Sequence, residues 1–168
     1  MSNPKSPSDH QLSIHLATAN DIGTLVGLVE PVQALHAEAH PDLFVYPIEP
    51  SEICSFFAVH VGQPDEYFPI AMRADQPLGF LWCRVRDRPK NALKKNTKFL
   101  FVDQISVLPQ ARGCGVGNVL MQFVKDLSKT LDVHEIRLDS WSFNKEAHQF
   151  FSRMGFEPYR VEFWNRTP

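Results

Sequence analysis

A chain of 168 residues, 43 % of them hydrophobic, is long enough and apolar enough for one domain around one core. A formal charge of −2 provides no global attraction for nucleic acid, and no apolar run is long enough to span a membrane. The three cysteines, Cys54, Cys83 and Cys114, lack zinc-ligand spacing and read as reduced thiols of a cytoplasmic protein.

Met1 to His10 is polar, carries two prolines and has no apolar core of the kind a secretion signal needs. It reads as a flexible tail ahead of a single domain over residues 11–168. Gln11 to Leu16 alternates weakly, as a first strand does. Thr18-Ala19-Asn20-Asp21 offers capping residues for a helix with Ile22, Leu25, Val26 and Val29 on one face. Pro31 is expected to interrupt this helix, because the residue before a proline avoids the helical region. A second helical piece then runs from Pro31 to Ala39, with proline in its first turn. Pro41 to Pro47 is a loop, and a further helix carries Ile53, Phe56 and Phe57 on one side.

Tyr67–Arg73, Leu78–Arg88 and Lys98–Leu108 read as the second, third and fourth strands of an antiparallel meander, with Ala74-Asp75-Gln76-Pro77 as a turn. Arg84, Arg86, Arg88, Lys90, Lys94, Lys95 and Lys98 form a basic cluster interrupted only by Asp87. It reads as the solvated rim of a hairpin, with an acidic partner as the alternative.

The most informative stretch follows: Val107-Leu108-Pro109-Gln110-Ala111-Arg112-Gly113-Cys114-Gly115-Val116-Gly117. A strand runs through a proline and an arginine into three glycines spaced two apart, and a helical pattern starts at once. A helix beginning there aims unpaired N–H groups and the positive end of its dipole at the turn, which suits a phosphate or pyrophosphate. The P-loop of nucleotide hydrolases is excluded, because Asn118-Val119 stands where its lysine and hydroxyl belong. The dinucleotide fingerprint fits at Gly113 and Gly115 but meets Asn118 at its third small position; Asp139 lies where a ribose-binding acid would. The acyl-CoA pyrophosphate loop, [QR]-x-x-G-x-[GA], is matched by Arg112 to Gly117 and, in shifted register, by Gln110 to Gly115. A plain linking turn is the remaining alternative.

Beyond the loop, Leu120, Val124, Leu127 and Leu131 repeat at helical spacing, with Gln122, Lys125, Asp126 and Lys129 off the stripe. His134 to Trp141 alternates as a fifth strand. The crossover helix makes it parallel to the fourth. Then comes Asn144-Lys145-Glu146-Ala147-His148-Gln149-Phe150-Phe151-Ser152-Arg153-Met154-Gly155-Phe156. With the glycine loop, this segment resembles the GNAT superfamily of acyl-CoA-dependent N-acetyltransferases, whose closing motif is N-x-x-A-x-x-[FL]-[YF]-x-x-x-G-F. The resemblance covers nearly all of the chain from about residue 11 onward.

It implies an α/β (α+β) GNAT fold: a mixed central sheet of about six to seven strands with helices on both faces. The sheet is splayed between strands 4 and 5, with a bulge in strand 4, and Phe156 to Asn165 forms a final strand or hairpin. It also implies acetyl-CoA as cosubstrate, no metal, and acetyl transfer to a primary amine of a small molecule or protein by direct attack. No nucleic-acid or membrane partner is implied, and a homodimer is compatible with the fold. The cofactor side falls on Ile105, Val107, Arg112, Gly113, Cys114, Gly115, Val116, Gly117, Asn118, Asn144 and Phe151. Within it, the pantetheine arm bonds to the strand at Ile105 and Val107 as an added strand would.

Amine acetylation needs a neutral amine, and freeing a lysine-like amine of its proton at pH 7 costs about 4.6 kcal/mol. Asp103 is the candidate base or amine contact. Simple alternation puts it beside Phe101 and Ile105 on an otherwise apolar strand face, where a carboxylate needs a partner or a purpose. Pairing with an arginine is the structural alternative. Ser106 is a weaker candidate for stabilising the leaving thiolate. Glu38, His36, His40 and Asp42 lie near the expected acceptor pocket and together suit a cation, although each also reads as an ordinary helix-end residue; Phe44, in the adjoining loop, is a further weak substrate-side candidate. Asn144 suits either the pantetheine arm or a helix N-cap. The sequence departs from the family at Phe151, where many members carry a tyrosine whose hydroxyl serves the CoA sulfur. That departure supports the competing reading, a catalytically silent acyl-CoA-binding module. An NAD-binding domain is the third reading.

Overall fold

Alternating strand and helix patterns assemble into a six-stranded mixed sheet with helices on both faces. The computed structural model describes residues 11–166; the tail expected at Met1–His10 lies outside these. The elements in chain order are β1 (Leu12–Leu16), α1 (Ile22–Ala39), α2 (Pro50–His60), β2 (Glu66–Tyr67), β3 (Pro69–Arg73), β4 (Gln76–Arg88), β5 (Thr97–Val107), α3 (Val116–Thr130), β6 (Ile136–Leu138) and α4 (Lys145–Arg153). The sheet order is β1-β3-β4-β5-β6, with β2 also on β4. All pairings are antiparallel except β5 with β6, which is parallel as a crossover helix requires.

The helices pack in two layers. On one face α1 and α2 bury Leu25, Leu28, Val29 and Phe57 against Phe68, Ile70, Phe80 and Trp82. On the other, α3 lays Val116, Leu120, Met121 and Val124 on Leu81, Cys83, Leu100 and Val102, and α4 adds Phe151. Each fully buried side chain of that α3 stripe contributes about 1.5–3 kcal/mol. Thr18 caps the turn before α1. Its hydroxyl accepts from the Asn20 N–H at 3.3 Å, and the Asp21 carboxylate accepts from the Thr18 N–H at 2.8 Å.

Five expectations are corrected, the last at the bulge described below. α1 is continuous through Pro31. An interior proline costs about 3 kcal/mol, but Leu25, Leu28 and Val29 are buried before it and His36 and His40 join an aromatic cluster after it, so packing outweighs the local preference. The strand expected from His134 to Trp141 is paired only at Ile136–Leu138, because β5 offers it partners only at Leu100, Phe101 and Val102. No strand forms over Phe156–Asn165. Pro158 removes a ladder donor there, and Tyr159, Val161 and Phe163 remain exposed. The basic cluster is divided: Arg84 and Arg86 are half-buried and ion-paired, while Arg88 and the lysines are exposed.

The bulge falls in β5. Trp82 pairs with Gln104 and Cys83 with Val102, so Asp103 is the extra residue. One added residue inverts the alternation. Leu100 and Val102 face α3 before the bulge, and Ile105 and Val107 face it afterwards. Asp103 therefore keeps the side of Phe101 but not that of Ile105, as simple alternation had placed it.

Candidate functional site

The glycine loop owes its shape to two left-handed residues. Gly113 has φ +74° and Gly115 has φ +82°, where any side chain strains the backbone. Gly115 is the N-cap of α3 and supplies no capping side chain. Cys114 N–H is taken by the Ala111 carbonyl at 3.4 Å, and no backbone acceptor among the described residues takes the N–H groups of Gly113, Gly115, Val116, Gly117 or Asn118. Five donors at or just ahead of the positive end of a 15-residue helix are thus left without a backbone partner among the described residues. Arg112, Gly113, Cys114 and Asn118 are exposed, whereas the Val116 side chain is core and only its backbone is available. Gly117 is glycine for another reason: a Cβ there would lie 3.0 Å from the Phe150 ring of α4.

Beside the loop lies an open sheet edge. The Leu108 N–H donates to the Leu78 carbonyl at 2.9 Å. Antiparallel partners alternate between bonded and non-bonded pairs. Counting back from this bond, Val107 with Gly79 and Ile105 with Leu81 are non-bonded pairs, so the N–H and C=O groups of Ile105 and Val107 point away from β4. On that side β6 ends its pairing at Leu138, opposite Val102. The sheet is splayed there, and the two residues present a free edge that runs to the glycine loop.

At the head of the splay, Asp103 Oδ1 accepts from Arg84 at 2.8 Å and from Arg86 at 2.7 Å. Its side chain is 11 % exposed, and its Oδ2 is buried without a partner. The bulge residue is thus held by two guanidiniums of the neighbouring strand, the pairing that sequence left as the alternative to catalysis. Arg86 also stacks 3.8 Å from the Phe101 ring centroid. Asp139 is the first residue beyond β6, with no hydrogen bond or ion pair among the described residues. Desolvation raises its pKa, as does the Asp103 carboxylate, against a lowering by Arg86.

The acceptor-side candidates come together through aromatic rings. His40 lies 5.2 Å from Trp141, 5.5 Å from Phe143 and 5.4 Å from Trp164, and Phe44 lies 5.3 Å from Trp141 and 4.8 Å from His36. Burial, then the neighbouring His40 charge, lowers the His36 pKa. Asp42 is paired with Arg166, whose hydrogen bond holds its carboxyl below the usual range. Glu38 is exposed and stands outside the ring cluster. Trp141, Phe143 and Trp164 were not singled out from sequence; they come from a strand end and a terminal segment that only the fold brings to α1.

The other candidates are placed as follows. Asn144 caps α4, its Oδ1 accepting from the Ala147 N–H at 3.1 Å, which leaves its amide N–H₂ free to donate. Ser106 is 4 % exposed with an unpartnered hydroxyl. Phe151 is 8 % exposed in the core, 5.4 Å from Phe150 and 6.1 Å from Phe156. Cys83 is buried, and desolvation, helped by Asp103, pushes its thiol up to about 12.

The sequence profile described as the acetyltransferase (GNAT) family matches residues 29–156. The chain belongs to the GNAT acetyltransferase family. Solved structures of the same fold include the BH1408 protein of Bacillus halodurans, as a tetramutant, with TM-score 0.84, 19 % identity, and coverage of 92 % of this chain and 99 % of that one. The aminoglycoside N-acetyltransferase AAC(6')-Iy in complex with CoA superposes with TM-score 0.71 at 19 % identity, covering 93 % and 95 %. An aminoglycoside acetyltransferase, meta-AAC0020, from an uncultured soil metagenomic sample gives 0.69 at 15 %, covering 95 % and 99 %. No curated protein sequence matches the chain. In this GNAT domain the matched region takes in the glycine loop, the splay and all of α4, and no helix among the described residues is long and apolar enough to cross a membrane.

Proposed function

We propose that this GNAT domain is an N-acetyltransferase that moves an acetyl group from acetyl-CoA to a primary amine by direct attack. The observation that carries it is the continuity of two unsatisfied backbone surfaces: the five free N–H groups from Gly113 to Asn118 and the open β5 edge at Ile105 and Val107. A ligand with a pyrophosphate at one end and an amide-bearing arm at the other satisfies both at once. The pyrophosphate would sit on the loop, with Arg112 beside it, and the arm would bond to the edge as an extra strand. Left-handed backbone at Gly113 and Gly115 keeps the approach free of side chains. Asn144, its amide N–H₂ unused by the cap, is the side-chain donor for the arm.

That placement brings the thioester end of the arm toward Asp103 and Asp139, at the head of the splay. The amine would enter from the side of Phe44 and Trp141, whose ring faces attract a cation; the Trp164 face beside them already carries the Arg166 guanidinium, 4.3 Å from its centroid. With Asp42 already paired to Arg166, this wall offers few free acids. It suits an amine with an apolar or aromatic body better than one with many charges. A CoA thiol resembles a cysteine thiol, whose pKa is about 8.5, so its thiolate leaves without an obligatory proton donor. The core position of Phe151 is consistent with chemistry that uses none there.

The test is thiol release from acetyl-CoA with a panel of arylalkylamines, polyamines, aminoglycosides and peptide N-termini, alongside calorimetry for CoA. Amine-dependent release supports transfer. CoA binding without release from any amine leaves the silent acyl-CoA-binding module. NAD bound in preference to CoA would refute both.

A further inference from the structure

We propose that Asp139 is the carboxylate that receives the proton of the acceptor amine, with Asp103 held opposite it by Arg84 and Arg86 as a positioning group. This rests on the acetyltransferase reading above. The geometry begins with the register. Val102 and Leu138 are the last paired residues of β5 and β6, so Asp103 and Asp139 are the first residue on each strand beyond the point of separation. The bulge turns Asp103 to the face of Arg84 and Arg86 on β4. Two carboxylates therefore stand at the mouth of the gap that the acyl group is proposed to enter, and they differ in kind.

Asp103 is nearly enclosed, and both guanidiniums are committed to its Oδ1. An incoming amine would have to displace one of them to reach that oxygen. Asp139 has no hydrogen-bond or ion-pair partner among the described residues and is partly desolvated but still reached by solvent. It lies two residues before Trp141 of the aromatic wall, on the same short segment beyond β6. The charged groups around it are Asp103 on β5, Arg86 on β4, and Glu162 and Arg160 from the terminal segment. Desolvation, Asp103 and Glu162 raise its pKa; Arg86 and Arg160 lower it; the net is a rise. A carboxylate moved in that direction is a stronger proton acceptor near neutral pH.

The step balances as follows. The ammonium form of the acceptor gives one proton to Asp139, which becomes neutral. The freed nitrogen lone pair forms the C–N bond to the thioester carbonyl carbon. The C–S bond breaks with its electron pair on sulfur, which departs as the CoA thiolate. The nitrogen releases its second proton to solvent as the amide forms, and Asp139 returns its own proton to solvent.

The experiment compares wild type with Asp139→Asn, Asp139→Glu and Asp103→Asn, using the best amine of the panel, full pH–rate profiles and CoA calorimetry. Asp139→Asn should lower kcat about 100-fold while CoA affinity stays within about twofold. Asp139→Glu should recover part of kcat. Asp103→Asn should move the acidic limb of the profile to lower pH, because the charge that raises the Asp139 pKa is gone. An active wild type whose Asp139→Asn variant keeps its kcat and its acidic limb overturns this inference and leaves the acetyltransferase reading intact. Loss of CoA binding or of folding in both Asp139 variants makes the residue structural and also overturns it. A wild type that binds CoA but acetylates no amine overturns the acetyltransferase reading and this inference together.

Discussion

Gly115→Ala is the sharpest probe of the phosphate loop. The residue sits at φ +82° and ψ 0° as the N-cap of α3. A Cβ there would have only Leu12 Cδ1 near it, at 3.9 Å, which is ordinary contact. The cost is therefore conformational: about 1–2 kcal/mol for a non-glycine residue in the left-handed region. If the loop keeps its shape, stability falls by that amount, and the melting temperature by about 2–8 °C for a chain of this size. If the loop relaxes instead, the N–H groups of Gly115 and Val116 turn away from the ligand. Losing one hydrogen bond to a charged group costs about 1.5–3 kcal/mol, or roughly 10- to 150-fold in CoA affinity. Gly113→Ala, at φ +74° in open space, should behave alike. Gly117→Ala should not: its strain comes from Phe150 at 3.0 Å and should fall on α4 packing. Calorimetry with CoA and thermal melts on the three variants separate these effects. A Gly115→Ala protein with unchanged melting temperature and unchanged CoA affinity would refute both the strain and the binding argument.

Gly79→Ala should be more damaging than its strand position suggests. Its Cβ would meet the Ser106 carbonyl oxygen at 2.6 Å, so β4 and β5 must move apart at a cost of about 1–3 kcal/mol, read from urea unfolding. Phe151→Tyr should add a hydroxyl inside a core position that is 8 % exposed and lower stability by about 1–3 kcal/mol, without raising kcat; a faster enzyme of unchanged stability would place the ring edge on the cofactor groove instead. Stability should fall as pH drops below about 6.5, because the unfolded chain then binds a proton that folded His36, with its lowered pKa, resists. His36→Gln should flatten that slope in urea midpoints measured across pH; equal slopes in both proteins would count against the burial of His36 as its cause.

Much of this protein was legible from one dimension because its signals are local. The glycine loop declares itself through residues adjacent in sequence, and φ +74° and +82° at Gly113 and Gly115 are conformations that only glycine adopts cheaply. The stripe of Leu120 and Val124 follows from helical period alone, and the parallel pairing of β5 with β6 follows from the crossover between them. Tertiary structure decided whatever depended on a partner distant in sequence. A bulge in β5 is what the family resemblance implies, but its place at Asp103 is a mismatch of register between two strands, and no pattern within β5 locates it. The hold of Arg84 and Arg86 on that carboxylate follows from the bulge, since one extra residue sets which face each later side chain takes. Pro31 stays helical because packing on either side outweighs a local preference. The ring cluster joins His40 of the α1 terminus, Phe44 of a loop, Trp141 beyond β6 and Trp164 near the C-terminus, residues that share neither period nor spacing. Backbone chemistry specific to one residue type can be read along a chain; contacts across it exist only once the layers have closed.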